Sequence, residues 1–196
     1  MAFLDKDYWT ERYSSGKTGW DIGSASKPLV QYLDQIEIKN IEGLIPGAGS
    51  GYEAVYAWQS GFSNFHLLDF SQEPLDRFKS SNPGFPLANV HQEDFFQHEG
   101  KYDLILEQTF FCALDPSHRT DYAIKMKSLL KPGGKLVGVW FDRAFDFHGP
   151  PFGGKAEEYR KLFEKYFDVK TFEACYNSIP ERLGSELFVI LVNSKI

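Results

Sequence analysis

Cysteine is scarce in this chain of 196 residues, which contains two, Cys112 and Cys175. Two cysteines are too few for a disulfide-held scaffold or for a metal site built from four thiolates. No apolar run approaches the roughly 18 residues of a membrane-spanning helix, and the first residues lack the basic-then-apolar order of a signal peptide. The formal net charge of −6 disfavours binding to a phosphate backbone. We therefore expect a cytoplasmic protein that binds neither membrane nor nucleic acid.

What the chain does contain is ordinary for a globular protein, with 42% hydrophobic and 24% charged residues. At ~150 residues per domain, its length predicts a single domain over residues 1–196. Aromatic residues are abundant, at 16%. Several of them lie in glycine-rich segments, where packing in a core does not explain them well.

Helical and strand-like segments alternate along the chain, separated by glycine, proline and serine. The helices are predicted at residues 5–14, 27–35, 53–60, 71–80, 115–130 and 156–166. The strands are predicted at residues 43–46, 64–69, 87–91, 102–107, 135–141, 169–176 and 187–192. The alternation predicts an α/β fold: a Rossmann-like doubly wound sheet of about seven strands, mostly parallel, with an antiparallel C-terminal strand. No helix separates the last two strands, so we expect them to form an antiparallel hairpin at the edge of the sheet.

Ligands of such sheets bind beyond the carboxyl ends of the strands, so the residues there are the first candidates for a site. Gly47, Gly49 and Gly51 follow the first strand. Glycines in that place let a ligand approach the backbone. The spacing is G-x-G-x-G, and Tyr52 stands where a dinucleotide fingerprint needs its third glycine. The loop therefore favours a mononucleoside ligand, with a plain glycine-rich turn as the alternative.

Carboxylates follow the next two strands. Asp69 ends the second strand, and its two oxygens are able to accept both hydroxyl protons of a ribose. Its alternative role is that of a helix N-cap, for which Ser71 competes. Asp94 and Phe95 follow the third strand and offer an acceptor and an aromatic face to an adenine, or else a turn with a buried ring.

Neither a nucleophile nor a metal site stands out. Cys112 lies among phenylalanines without a histidine at a partner position, which is typical of an inert buried thiol. The five histidines show no metal-binding spacing, so we expect no metal; they are His66, His91, His98, His118 and His148.

With these features together, the chain resembles the class I S-adenosylmethionine-dependent methyltransferases, and within them the thiopurine S-methyltransferases and plant thiol/halide methyltransferases. The resemblance covers nearly the whole chain. It rests on residues 9–23 (WTERYSSGKTGWDIG), 44–52 (LIPGAGSGY), 68–71 (LDFS), 102–114 (YDLILEQTFFCAL), 129–134 (LLKPGG) and 178–188 (SIPERLGSELF).

The resemblance implies S-adenosyl-L-methionine as the cofactor and a role for each matching residue. The implied cofactor-binding residues are Trp9, Tyr13, Trp20, Gly47, Gly49, Asp69, Asp94, Phe95 and Gln108. Tyr13 stands where relatives often have Trp, and Gln108 where plant halide enzymes carry Tyr. Phe141 and Phe152 fall at positions that line the substrate side.

The implied reaction is an in-line displacement on a sulfonium, and the acceptor is a small soft nucleophile: a thiol, a thiopurine, bisulfide or a halide. Such acceptors need alignment and exclusion of water more than a general base. The aromatic rings of residues 1–26 offer π faces to the cation, so we expect this segment to act as a lid. A nicotinamide-dependent oxidoreductase and a non-catalytic cofactor-binding protein stay open as alternatives, as do the acceptor's identity and the oligomeric state.

Overall fold

The computed structural model describes residues 4–194, which form a seven-stranded sheet between two layers of helices. The strands are β1 (Gly43–Pro46), β2 (Phe65–Asp69), β3 (Val90–Gln92), β4 (Tyr102–Gln108), β5 (Leu130–Phe141), β6 (Asp168–Ala174) and β7 (Glu186–Val192). The α-helices are α1 (Lys6–Ser14), α2 (Lys27–Asp34), α3 (Tyr52–Gln59), α4 (Gln72–Ser81), α5 (Arg119–Leu129) and α6 (Ala156–Phe163).

The sheet has the order β3-β2-β1-β4-β5-β7-β6, with parallel pairing from β3 to β5. The strand order reverses between β1 and β4, which places a crevice beyond their carboxyl ends. The Rossmann-like doubly wound sheet expected from the sequence is confirmed, including its antiparallel last strand, β7. The last two strands were expected to form an antiparallel pair at the edge of the sheet, and this is confirmed. β7 lies between β5 and β6, and β6 forms the edge.

Each face of the sheet carries its own apolar core. On one face, α5 and α6 pack against the sheet, with Tyr122, Met126 and Phe163 among their fully buried side chains. On the other, α2, α3 and α4 bury Leu33 and Leu75 among their apolar residues. Burial on both faces explains why β1 and β4 read in the sequence as continuous apolar runs.

Several element boundaries differ from those expected, among them the starts of β3, α5 and β5. Residues 87–89 form a 3₁₀ turn, and the short strand β3 follows them. Residues 116–118 form another 3₁₀ turn before α5 begins at Arg119. β5 begins at Leu130, because the Lys131-Pro-Gly-Gly134 segment, expected as a turn, is part of the strand. Within residues 4–194, no helix is long and apolar enough to cross a membrane.

Candidate active site

A large cavity opens at the carboxyl ends of the strands. Its volume is about 1290 Å³, above the roughly 300–1,000 Å³ of most small-molecule pockets, so it has room for a nucleoside cofactor and a small acceptor together. Eight of the residues expected from the sequence line it: Trp9, Tyr13, Trp20, Gly47, Asp69, Asp94, Phe95 and Phe141. The fold thus brings together residues that are up to 132 positions apart in the chain.

The loop after β1 requires glycine at two positions. Gly47 has φ 60°, and a Cβ there would lie 2.2 Å from the ring of Phe110. Gly49 has φ 51°, and a Cβ there would lie 2.8 Å from the hydroxyl oxygen of Tyr13. Both positions combine a backbone conformation that favours glycine with no space for a side chain. The loop therefore presents bare backbone toward the cavity.

Asp69 connects this loop to the end of β2. One of its oxygens, Oδ2, accepts the backbone N–H of Gly49 at 3.0 Å, and the other, Oδ1, accepts that of Ser71 at 2.9 Å. Burial raises the pKa of this carboxyl, against the effect of the two hydrogen bonds. A carboxylate offers about four acceptor positions, so two remain for ligand hydroxyls. Ser71 is the N-cap residue of α4, which removes the alternative role of Asp69 as that cap.

The segment after β3 contributes an exposed acid and a buried ring. Asp94 accepts the backbone N–H of Phe96 at 2.9 Å. Phe95 is buried and packs edge-on against Phe110 at a centroid distance of 5.1 Å. Phe96 is half-buried and also lines the cavity. The aromatic face available here thus comes from two neighbouring rings, of which the sequence interpretation used one.

Three N-terminal rings form a cluster over the glycine loop. Trp20 meets Trp9 and Tyr13 edge-to-face, at centroid distances of 5.3 and 5.5 Å. Tyr13 is buried, whereas both tryptophans are half-exposed. The guanidinium of Arg12 lies 5.5 Å from the centroid of the Trp20 ring. The Trp20 ring therefore already contacts one cation.

Polar contacts hold the N-terminal segment on the body of the protein. Arg182 donates to the backbone oxygen of Trp20 at 2.9 Å, and Arg77 donates to that of Tyr13 at 3.2 Å. Asp21 accepts the hydroxyl of Ser50 at 2.7 Å. The segment thus contacts α4, the glycine loop and the segment before β7.

The opposite end of the cavity is aromatic and cationic. Phe141 at the end of β5 packs edge-to-face with Phe145 at 5.1 Å. Arg143 lies over Phe145 and Arg182 over Phe141, at 4.9 and 5.4 Å from the ring centroids. Only Phe141 was selected from the sequence. The arginines were missed because they come from loops 39 positions apart and carry no motif of their own.

Three expected site residues lie outside this cavity. Gly49 and Gln108 line a smaller adjoining cavity of about 60 Å³ between the glycine loop and β4. Phe152 is half-buried behind the cavity wall, where its backbone N–H donates to the carbonyl of Cys112 at 2.6 Å. Thr109, which the sequence interpretation did not select, lines both cavities. Its φ of 61° is unusual for a residue other than glycine and indicates local strain at the end of β4.

Two buried titratable groups lie at the end of β4 and just after it: Glu107, and Cys112, which lines the cavity. Glu107 on β4 is fully buried, and its Oε2 accepts the backbone N–H of Phe110 at 3.0 Å. Burial raises the pKa of this carboxyl to about 7. Burial also raises the pKa of the Cys112 thiol far above its usual range, with the charge of Glu107 adding to the effect. Cys112 is therefore a neutral thiol, as its apolar sequence context indicates.

The strand order, the glycine loop with an acid at the end of the next strand and a cavity at the switch point define a class I S-adenosylmethionine-dependent methyltransferase. Solved structures with this fold include 1,6-didemethyltoxoflavin-N1-methyltransferase of Burkholderia thailandensis, with bound S-adenosylhomocysteine. It has a TM-score of 0.79 at 16% identity, over 99% of this chain and 89% of that one. The N-methyltransferase NodS of Bradyrhizobium japonicum has a TM-score of 0.74 at 16% identity, over 97% and 100%.

The family is defined more narrowly by sequence. The family model of thiopurine S-methyltransferase matches residues 4–187, and this chain belongs to that family. A probable thiol methyltransferase 2 of Arabidopsis thaliana is 34% identical over 79% of this chain and 70% of its own length. Thiopurine S-methyltransferase of Vibrio campbellii is 36% identical over 83% of each chain. The protein is thus an S-adenosylmethionine-dependent methyltransferase, and the nicotinamide and non-catalytic alternatives are excluded.

Proposed function

We propose that this enzyme methylates a small anionic soft nucleophile, a thiolate foremost, with bisulfide, halides and ionised thiopurines as the related candidates. The observation that carries the proposal is Arg182. Its side chain is 11% exposed and lines the cavity, and its Nη1 is buried without a hydrogen-bond partner. Nη1 forms an ion pair with Oε1 of the buried Glu186 at 3.6 Å, a distance at which its N–H is not satisfied as a hydrogen-bond donor. A buried guanidinium N–H beside a cavity favours an anionic ligand.

The topology supports separate places for the cofactor and the acceptor. Asp69 and Asp94 follow β2 and β3 on one side of the switch point, and Phe141 follows β5 on the other. We therefore assign the nucleoside to the first side and the acceptor to the second. S-adenosylmethionine supplies an electrophilic methyl group when it is bound.

Each cofactor-side residue has a proposed task. Asp69 accepts the ribose hydroxyls with its two remaining acceptor positions, and Gly47 lets the ligand approach the backbone. Asp94 accepts the adenine amino group, and Phe95 with Phe96 covers the ring. The N-terminal rings cover the sulfonium; they are Trp9, Tyr13 and Trp20. Gly49 and Gln108 support the loop from the smaller cavity.

On the acceptor side, the residues orient an anion and exclude water. Phe141 and Phe145 supply an apolar wall that suits a soft, polarisable atom, while Arg182 and Arg143 supply positive charge. Phe152 supports the cavity wall, because its backbone N–H donates to the carbonyl of Cys112 and so fixes the segment that contains Cys112. An acceptor that is already ionised needs no proton removed, which fits a cavity whose imidazoles, His118 and His148, lie exposed at the mouth.

We further propose that residues 1–196 act as one domain and that residues 1–26 form a lid; residues 1–3, 195 and 196 lie outside the described part. The half-exposed rings of Trp9 and Trp20 support the lid. A net charge of −6 supports a small-molecule substrate over a nucleic acid. Two unpaired cysteines support a reducing compartment, the cytoplasm.

A transfer assay with S-adenosylmethionine labelled in its methyl group tests the proposal, with thiophenol, bisulfide, iodide and a thiopurine as acceptors and a neutral alcohol for comparison. We expect methylation of the anions and none of the alcohol. Arg182→Met raises the KM for a thiolate about 10- to 150-fold, the range of a lost charge-assisted hydrogen bond. Arg160→Met on the exposed face of α6 is the matched control. Equal KM values in the Arg182→Met and wild-type enzymes contradict the role of Arg182.

A further inference from the structure

Three histidines lie together at the β2–β3 side of the sheet. His66 on β2 stacks on His91 on β3 at a centroid distance of 5.1 Å, and His98 in the following loop lies 5.1 Å from His91. Oε1 of Glu93 is 2.7 Å from Nδ1 of His98 and 3.9 Å from Nδ1 of His91. In the described part of the chain, His91, Glu93 and His98 form the one group whose potential ligand atoms all lie within 4.8 Å of one another.

In both histidines of this group, the second ring nitrogen, Nε2, has a hydrogen-bond partner. His98 Nε2 is 2.7 Å from the hydroxyl of Tyr102, and His91 Nε2 is 2.8 Å from Nδ1 of His66. Histidines that bind metals almost always hydrogen-bond through their second ring nitrogen, which fixes the orientation of the ring. These contacts hold both Nδ1 atoms on the side of Glu93.

The hydrogen bonds of the cluster leave two acceptor atoms side by side. Oε2 of Glu42 lies 3.3 Å from Nε2 of His66, and Nδ1 of His66 lies 2.8 Å from Nε2 of His91. A carboxylate only accepts and each neutral imidazole has a single N–H, so these two hydrogen bonds use both N–H groups. Nδ1 of His91 is then an acceptor, and it lies 3.9 Å from Oε1 of Glu93, beyond hydrogen-bond distance. A cation between these two acceptors would bind both.

We propose that His91, Glu93 and His98 bind a divalent transition-metal ion of the zinc type, through two Nδ1 atoms and one carboxylate oxygen. Zinc bonds of ~2.0–2.2 Å place ligand atoms roughly 3.3–3.5 Å apart in a tetrahedron. The observed contacts of 2.7 and 3.9 Å lie on either side of that spacing. Glu93 is 40% exposed, so the ion enters from solvent.

The ion would stabilise the cofactor side of the cavity. Glu93 lines that cavity beside Asp94 and Phe95. A metal bound to Glu93 and His98 therefore fixes both ends of residues 93–98, the segment that contains Asp94 and Phe95. The three ligands lie within eight residues of one another, but their spacing matches no metal-binding motif, and the turn after β3 is what brings His98 next to Glu93. The proposal replaces the expectation that no metal is bound.

Calorimetric titration of Zn²⁺ into the full, untagged, chelator-treated chain tests the proposal. We expect one ion per chain, and with Co²⁺ the intensified visible absorption of a four- or five-coordinate site. Glu93→Gln and His91→Gln each lower the affinity at least ~100-fold, and Tyr102→Phe lowers it about 10- to 100-fold by freeing the second nitrogen of His98. His148→Gln, which removes an imidazole outside the cluster, binds zinc as the wild type does.

Circular dichroism establishes that each variant is folded. If the folded wild type binds no zinc and shows no cobalt absorption, the proposal is wrong. We expect that outcome if the cluster binds an additional proton and no metal. Wild-type affinity in folded Glu93→Gln overturns it as well. If Glu93→Gln does not fold, the wild-type cobalt spectrum and the Tyr102→Phe affinity decide the question.

Discussion

Asp69 accepts the backbone N–H of Gly49, so the carboxylate at the end of β2 also fixes the loop that follows β1. Gly49 cannot carry a side chain, because its Cβ would meet the hydroxyl of Tyr13. One carboxylate therefore links the sheet, the glycine loop and the N-terminal aromatic cluster. A change at Asp69 affects the shape of the cavity as well as the acceptors that it offers.

Asp69→Asn should weaken cofactor binding. The amide has one acceptor oxygen in place of two, so an N–H of Gly49 or Ser71 then faces a donor. We expect the affinity for S-adenosylhomocysteine to fall by about 1.5–3 kcal/mol, or about 10- to 150-fold, in calorimetry. Asp76→Asn on the exposed side of α4 is the matched control. Unchanged affinity in Asp69→Asn contradicts the assigned role.

The N-terminal segment should close over the cofactor. Trp20→Leu removes the ring that contacts both Trp9 and Tyr13, and we expect the dissociation constant of S-adenosylmethionine to rise about 3- to 30-fold, from the cation–π range. Amide exchange in residues 5–26 should slow when the cofactor binds, while β1 and β4 change little.

Tryptophan fluorescence provides a second measurement of this closure. The wild type should respond to the cofactor, and Trp58→Phe on α3 should keep most of that response, because Trp58 packs against Phe85 on the far side of the helix. Exchange in residues 5–26 that is equally slow with and without cofactor shows that the segment is an ordinary part of the core.

Cys112 should be dispensable for chemistry. Its thiol stays protonated and donates to the carbonyl of Thr109 at 3.3 Å, so no thiolate forms to attack a substrate. We expect folded Cys112→Ala to retain methyl transfer in the labelled assay and to lose about 1–2 kcal/mol of stability. Loss of all turnover in a variant that folds and binds cofactor contradicts this prediction.

Glu107 should make the protein less stable as the pH rises. Its pKa is about 7 in the folded state and near 4.5 in an unfolded chain, so the folded protein holds a proton that the unfolded chain has released. The contribution of protonated Glu107 to the free energy of unfolding is therefore complete below pH ~4.5 and is lost as the pH rises through about 7. Glu107→Gln should flatten this dependence by up to about 3 kcal/mol in urea unfolding.

The exposed Glu157→Gln on α6 serves as the control for that measurement and should keep the wild-type slope. A slope unchanged in Glu107→Gln would show that other buried carboxyls cause the pH dependence. Asp69 and Glu53 are the nearest candidates, because burial raises the pKa of both.

The sequence predicted those parts of the fold that short runs of neighbouring residues determine. The apolar runs of β1 and β4 and the glycines at 47, 49 and 51 mark the centre of the sheet and its loop. The short strand β3 has no such run, because its residues are only partly buried. The placement of β7 between β5 and β6 depends on pairing between distant segments, which periodicity does not record.

The same distinction applies to the site. Asp69 and Asp94 were found because they stand where strands end. Arg182 is a single charge in a loop, and only the folded chain brings its guanidinium over Phe141. Glu107 directly follows the apolar run Leu104–Leu106 of β4, and its importance becomes visible once its full burial is known.

The position of β7 also determines the order in which the sheet is completed during translation. β6 is synthesised before β7, yet β7 provides its pairing and separates it from β5. For a period on the order of seconds, at ~5–20 residues added per second, the nascent chain exposes the long apolar edge of β5 with no neighbour. Such an edge is a template for aggregation, so the ribosome-bound chain is most in need of chaperones shortly before Glu186–Val192 emerges.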